Sequence, residues 1–267
     1  MLTLHTLASG SSGNAMLVTD GTTHILLDAG ISARRITQSL AQLGLRPGEL
    51  AGVLITHEHT DHIAGLTTLT KQCPLPIYAT PGTGRQLRRR IPFADELVHA
   101  VPAGEEFLLG TFAVRPFPTS HDAEESAGFR LTSGGECAAV ATDLGYVTDA
   151  VLEGVLGADI LVAEANHDEE WVRASQRYPY HLKRRILGDR GHLSNEAGAE
   201  LIRRAAEAGT ASVVLAHLSA ENNTPAHAEE TVCRILRDAG IRPGVDLALT
   251  VAPRDRLSGP YIRGRAG

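Results

Sequence analysis

The segment His57-Glu58-His59-Thr60-Asp61-His62 constrains this chain more than any other stretch. It follows the apolar run Ala51-Gly52-Val53-Leu54-Ile55-Thr56, which reads as a buried strand. From Thr60 to Leu69 polar and apolar residues alternate as at the start of a helix. A strand-to-helix turn can throw His57 and His59 toward one ion. Asp61 and His62 then point toward a second ion beside it. Imidazole and carboxylate donors suit Zn²⁺ and, with more oxygen ligands, Mn²⁺. The bland alternative is a polar surface loop with chance histidines. Four ligand-type residues in six positions, straight after a buried strand, count against it.

Composition fits a soluble enzyme of one domain spanning residues 1–267. Hydrophobic residues make up 43% but fall in short runs, none near the roughly 18–20 apolar residues of a membrane span. The start, Met1-Leu2-Thr3-Leu4-His5, lacks a basic region and a cleavage site, so no signal peptide and no membrane partner are expected. Cys73, Cys137 and Cys233 form no CxxC pair, which points to a reducing, cytoplasmic setting. The net charge of −6 does not advertise a nucleic-acid binder. Of the 25 basic residues only Lys71 and Lys183 are lysine, a bias that weakens arguments from arginine alone.

Strands are expected at 2–7, 15–19 and 24–28, a helix at 32–44 closed by Gly44, and a strand at 52–56 leading to a helix at 61–71. A short strand at 76–79 and a basic helix at 83–90 follow, and strands dominate from 98 to 142. Helices at 146–155, about 168–188, 194–208 and 225–239 alternate with strands at 159–163, 212–216 and about 246–251. Pattern alone gives α/β or α+β.

The HxHxDH pattern resembles the signature of the metallo-β-lactamase fold superfamily. That family carries further ligands at strand ends. His121 follows the run Phe112–Phe117, Asp143 follows Ala138–Ala141, and His217 follows Ser212–Ala216, in the order the resemblance requires. The resemblance implies an α+β, αββα four-layer sandwich and two divalent metal ions, Zn or Mn. It implies that His57, His59 and His121 hold one ion, Asp61, His62 and His217 the other, and that Asp143 bridges them. Metal-bound water loses a proton near neutral pH and can attack a carbonyl or a phosphorus. Asp61 would hydrogen-bond that nucleophile as well as ligate.

The pair Gly191-His192-Leu193-Ser194 and Ala216-His217-Leu218-Ser219 is similar to paired motifs of the RNase Z-type phosphodiesterases. There a non-ligand histidine assists phosphoryl transfer, which implies a catalytic role for His192. Glu164, in Ala163-Glu164-Ala165-Asn166-His167, looks like the glutamate that orients it. His167 could replace either, and His192 could simply open a helix beside the Ser194 cap.

Together with Leu27-Asp28-Ala29-Gly30, Glu164–Asp168, Gly191–Asn195 and His217–Asn223, the segment Leu7-Ala8-Ser9-Gly10-Ser11-Ser12-Gly13-Asn14 resembles the bacterial YycJ (WalJ) family over most of the chain. That resemblance implies a 5′-to-3′ DNA exonuclease, with DNA preferred to RNA as partner. Ser11 and Asn14 would contact substrate phosphates, or the turn is only a tight hairpin. The chain has no room for the cap domain of longer nuclease relatives and lacks an obvious arm of the tRNA-processing enzymes, which puts tRNA processing in doubt.

Two basic clusters, Arg85–Arg90 and Lys183-Arg184-Arg185, could meet backbone phosphates, with Tyr178 and Tyr180 stacking bases beside the second. Arg254, Arg256, Arg263 and Arg265 carry less weight. The rival for all of them is a solvated helix face. Two other functions stay open: a small-molecule metallo-hydrolase (glyoxalase II-like thioesterase, lactonase or cyclic phosphodiesterase), and a non-catalytic signalling or DNA-repair scaffold. A homodimer is compatible with the sequence, which does not decide it.

Overall fold

A computed structural model describes residues 1–264, so Arg265 lies outside the described residues. The chain opens with β1 (Thr3–Ala8), β2 (Ala15–Thr19) and β3 (His24–Leu27), then α1 (Ala33–Gln42) and β4 (Leu50–Leu54). Next come α2 (Thr60–Ile63), α3 (Leu66–Gln72), β5 (Ile77–Ala79), α4 (Pro81–Arg90) and β6 (Val98–Ala100). The second half holds β7 (Phe107–Leu109), β8 (Phe112–Pro118), β9 (Ala127–Ser133), β10 (Glu136–Ala141), α5 (Asp149–Val155) and β11 (Ile160–Glu164). It closes with α6 (Glu169–Ala174), α7 (Tyr180–Ile186), α8 (Asn195–Glu207), β12 (Ser212–Ala216), α9 (Pro225–Asp238), β13 (Ala248–Val251) and β14 (Ser258–Tyr261).

The strands form two seven-stranded sheets, ordered β14-β1-β2-β3-β4-β5-β6 and β13-β12-β11-β10-β9-β8-β7. Strand side chains alternate between faces, so each sheet feeds two cores. Ile25, Leu27 and Leu54 of the first sheet meet Val140, Ile160, Val162 and Val214 of the second in a core between the sheets. Leu26, Val53 and Ile77 instead pack outward under Ile36 and Leu40 of α1, Leu69 of α3 and Leu87 of α4. Ala139, Leu161 and Val213 pack outward under α5, α8 and α9. Burial on both faces explains why β2, β11 and β12 read as continuous apolar runs. The layers are helix, sheet, sheet, helix, the αββα arrangement expected. No helix among the described residues is long and apolar enough to cross a membrane.

Two expectations need correction, and one strand was not expected. The helix at 61–71 is two pieces, because Ala29 N–H takes the His62 carbonyl at 2.8 Å and Gly65 N–H donates to Ala29 O at 2.8 Å. The helix at 168–188 is also two, since Pro179 caps α7 and has no N–H with which to continue α6. The strand β14 is unexpected. Its Ser258-Gly259-Pro260-Tyr261 reads as a turn, yet it pairs antiparallel with β1 at the sheet edge, where proline is tolerated.

Candidate metal centre

The strands β10, β11 and β12 run parallel, as do β3, β4 and β5. Their carboxyl ends gather on one rim, the usual ligand side of such sheets. Asp28 follows β3 directly, and the 55–62 turn leaves β4. His121 lies beyond β8, Asp143 beyond β10, Glu164 ends β11 and His217 follows β12. The turn is pinned by backbone contacts: Asn14 N–H donates to Asp61 O, and Ala29 N–H to His62 O, each at 2.8 Å. A Cβ on Gly30 would lie 1.7 Å from Asp61 O, so only glycine allows this approach.

One ring nitrogen from each of His57, His59 and His121 lies within 4.8 Å of the others, and the same holds for the ligand atoms of Asp61, His62 and His217. Asp143 sits between the sets. Its Oδ2 is 3.4 Å from His62 Nε2 and its Oδ1 is 3.7 Å from His121 Nε2. Asp28, Asp143 and His217 all adopt left-handed backbone, with φ of 60°, 61° and 57°. Non-glycine residues in that region cost energy, and such cost collects at functional sites.

The donor set fits divalent cations. His57 Nε2 and Asp143 Oδ2 are buried with no hydrogen-bond partner among the described residues, which is costly unless something positive completes them. Burial alone would raise the Asp143 carboxyl, but His217, His62, His57 and His121 hold it well below the usual range. Burial alone would lower His217, yet Asp143, Asp61 and Glu164 push it up to about 10. These carboxylates draw positive charge inward, a demand that divalent ions answer. Burial holds the His57 ring well below its ordinary value, leaving it neutral with a free lone pair.

Partners on the far nitrogens aim the rings. His121 Nδ1–H donates to Gly191 O at 2.9 Å, and His217 Nδ1 lies 3.0 Å from Glu164 Oε1. His62 Nδ1 lies 2.7 Å from Asp28 Oδ2. Each pairing turns Nε2 toward the centre of the cluster. The role of Asp28 in holding His62 escaped sequence reasoning. Its signal was an acid straight after a buried strand, the same placement as Asp143 after β10.

His192 and Glu164 meet. His192 Nδ1 is 2.8 Å from Glu164 Oε1, and Glu164 Oε2 accepts Leu144 N–H at 2.9 Å and Leu193 N–H at 3.0 Å. Glu164 is fully buried, and its carboxyl is lowered to about 2: burial opposes this, but the His192 charge and hydrogen bond outweigh it. Asp143, Glu164, His192 and His217 also lie close enough to hold an ion as a set. His167 joins none of these groups; burial lowers its ring to about 4.

Ser11 is exposed, whereas Asn14 is buried, its Oδ1 accepting Gly10 N–H at 2.9 Å and its Nδ2 lying 3.2 Å from His62 Nε2. Asn14 thus lies under the turn, and its amide is engaged there. Lys183 Nζ donates to Arg173 O at 2.7 Å, and the Arg184 guanidinium lies 5.9 Å from the centre of the Tyr180 ring. Arg185 pairs with Asp122, whose Oδ1 is 3.4 Å from His121 Nε2, so α7 borders the cluster. The other basic run is largely engaged in the fold. Arg85 pairs with Glu124 at 3.2 Å, Arg88 with Asp95 at 2.8 Å, and Arg90 bonds Glu58 O.

Residues 23–218 match the β-lactamase superfamily domain model. The exodeoxyribonuclease WalJ of Streptococcus pneumoniae serotype 2 (strain D39) is 37% identical over 245 residues, 90% of each chain. The chain belongs to the WalJ/YycJ family of the β-lactamase superfamily. Exodeoxyribonuclease YycJ of Bacillus anthracis is 36% identical to this WalJ/YycJ-family chain over 241 residues, 89% of this chain and 90% of that one. The metallo-β-lactamase fold protein YhfI of Bacillus subtilis superposes with a TM-score of 0.69 at 17% identity, covering 97% of this chain and all of that one, and so shares its fold. The family is the one its motifs resemble.

Proposed function

We propose that this WalJ/YycJ-family chain is a dinuclear metal-dependent phosphodiesterase that removes nucleotides from DNA, in preference to RNA, working 5′ to 3′. The observation that carries the phosphodiester reading is the His192–Glu164 pair, at 2.8 Å, beside the histidine–aspartate cluster. A thiolate leaves without help, so a thioesterase has less need of a positioned proton donor than an enzyme that expels a sugar oxygen. The WalJ and YycJ relatives, both exodeoxyribonucleases by name, support DNA as the polymer.

In this reading His57, His59 and His121 would hold one ion and Asp61, His62 and His217 the other, with Asp143 lying between the two sets. Zn²⁺ and Mn²⁺ both suit these donors. When bound, the ions supply an activated water and neutralise phosphoryl charge. Asp61, half-buried at the edge of the cluster, would accept a hydrogen bond from a water held there and orient it. Glu164 Oε1 accepts the Nδ1–H of His192 and fixes the direction in which Nε2 points. His192 Nε2 then gives its proton to the sugar oxygen as the phosphorus–oxygen bond breaks. Lys183 and Arg184 guide the strand, and Ser11 offers a hydroxyl at the rim. Three free cysteines suit a reducing cytoplasm.

The test is an end-labelled single- and double-stranded DNA and RNA panel, with a thioester beside it, on protein stripped of metal and reloaded with Mn²⁺ or Zn²⁺. Two ions per chain and DNA degradation that vanishes on stripping are expected. Asp61→Ala should lower turnover by at least about 100-fold. Undiminished activity in the stripped protein, or a preference for the thioester, refutes the reading.

A further inference from the structure

Beside His121 lies a cavity of about 680 Å³ lined by Thr119, Ser120, His121, Tyr146, Asp189 and Arg190. Its size falls within the ~300–1,000 Å³ of small-molecule sites. His121 also belongs to the histidine set of the metal centre, so the cavity borders that centre.

The walls are built rather than incidental. A Cβ on Gly145 would meet the Asp189 carbonyl oxygen at 2.2 Å and Arg190 N at 2.5 Å, so glycine lets the 189–190 turn close against this strand end. Ser120 Oγ donates to Tyr146 O at 2.7 Å and accepts Tyr146 N–H at 3.0 Å, which fixes the backbone that carries the tyrosine. Tyr146 is nonetheless 52% exposed, among the few large apolar residues left open to solvent. Arg190 Nε donates to His121 O at 3.3 Å, and among the described residues no carboxylate pairs with its guanidinium. Asp189 likewise has no ion-pair partner among the described residues.

We propose that this cavity is a nucleoside subsite that holds the base and sugar next to the scissile phosphate, with Tyr146 as the stacking surface. The inference rests on the phosphodiesterase reading and names the part of the substrate that reading leaves unplaced. A base stacks on any exposed aromatic face without sequence preference. Arg190 is fixed at one nitrogen and keeps the rest of its fork for a phosphate oxygen at the mouth. Asp189 repels a second phosphate inside the cavity and accepts from a sugar hydroxyl or a base amine. Aromatic face, guanidinium and hydroxyl-accepting acid together fit a nucleoside better than a bare anion or an acyl chain.

The experiment titrates the metal-loaded protein with deoxyadenosine 5′-monophosphate and, separately, with inorganic phosphate. The nucleotide should bind at least about tenfold more tightly, as one stacked base provides. Tyr146→Ala should abolish that preference, Tyr146→Phe should retain it, and Arg190→Ala should weaken the nucleotide. In a second arm, a DNA strand with an abasic terminal nucleotide should raise KM for the wild type to the value Tyr146→Ala shows on intact DNA. Tyr146→Ala itself should be indifferent to the missing base. A nucleotide preference unchanged in Tyr146→Ala, in a wild type that degrades DNA, overturns the subsite and leaves the nuclease reading standing. A metal-loaded wild type that does not degrade DNA overturns the nuclease reading and the subsite with it.

Discussion

Asp28 Oδ2 lies 2.7 Å from His62 Nδ1, and both side chains are shut away from solvent. The same carboxylate accepts the Thr56 backbone N–H at 2.9 Å and the Thr56 hydroxyl, so it ties the ends of β3 and β4 together beneath the metal cluster. Asp28→Asn keeps a residue that tolerates φ of 60° and can still accept from Thr56, but removes the charge facing His62. Metal affinity should fall roughly 10- to 100-fold, as when such outer partners are removed elsewhere. Competition with a graded series of chelators measures this. Asp28→Ala should in addition lose stability, about 1–3 kcal/mol, by stranding the Thr56 donors.

His192→Ala should lower kcat roughly 10²- to 10⁴-fold on DNA while leaving two ions per chain. Metal analysis of the variant separates a proton donor from a ligand, since loss of an ion would place His192 in the Asp143–Glu164–His217 set instead. Glu164→Gln should reproduce much of the rate loss. It should also weaken metal binding somewhat, because Glu164 Oε1 lies 3.0 Å from His217 Nδ1.

Lys183 and Arg184 project from α7 without carboxylate partners among the described residues, whereas Arg185 is paired to Asp122. Reversing Lys183 and Arg184 to glutamate should weaken DNA binding and reduce the salt slope by about 1 for each phosphate no longer neutralised. Hydrolysis of a small phosphodiester should hardly change. Arg185→Ala should behave differently and slow both substrates, because it frees Asp122 beside His59 and His121. An unchanged salt slope in the double reversal would mark a solvated face.

Burial lowers the His167 ring to about 4 from an ordinary 6.5. The folded chain therefore binds fewer protons here than the unfolded chain between those values, and stability falls as pH drops through that window. The loss attributable to His167 should be on the order of 2–3 kcal/mol by pH 4. His167→Gln should flatten that part of the acid limb, read as denaturation midpoints at pH 7, 5 and 4 in chelator. Parallel limbs in both proteins would contradict it.

The order of elements and the positions that could bind metal were legible because their signals are local. His57 to His62 sit within one turn of a buried strand, and Asp143 and His217 each follow a run of apolar residues that only a doubly buried strand requires. The break at Gly65 had no such local signal, whereas Pro179 marked its own break and the expected helix ran past it. The first depends on Ala29, far back in sequence, capturing the His62 carbonyl. The strand β14 was invisible because Gly259 and Pro260 favour turns, and only the open edge of β1 recruits them.

Sequence alone determined which residue types stand at strand ends and which family they resemble. Tertiary structure alone decided who faces whom. Sheet order sets Asp61 3.4 Å from His217, Asp28 against His62, Arg185 onto Asp122, and Gly145 against the 189–190 turn. Those pairings span tens to hundreds of residues. They follow from the order and packing of two sheets, which bring together strand ends far apart in sequence.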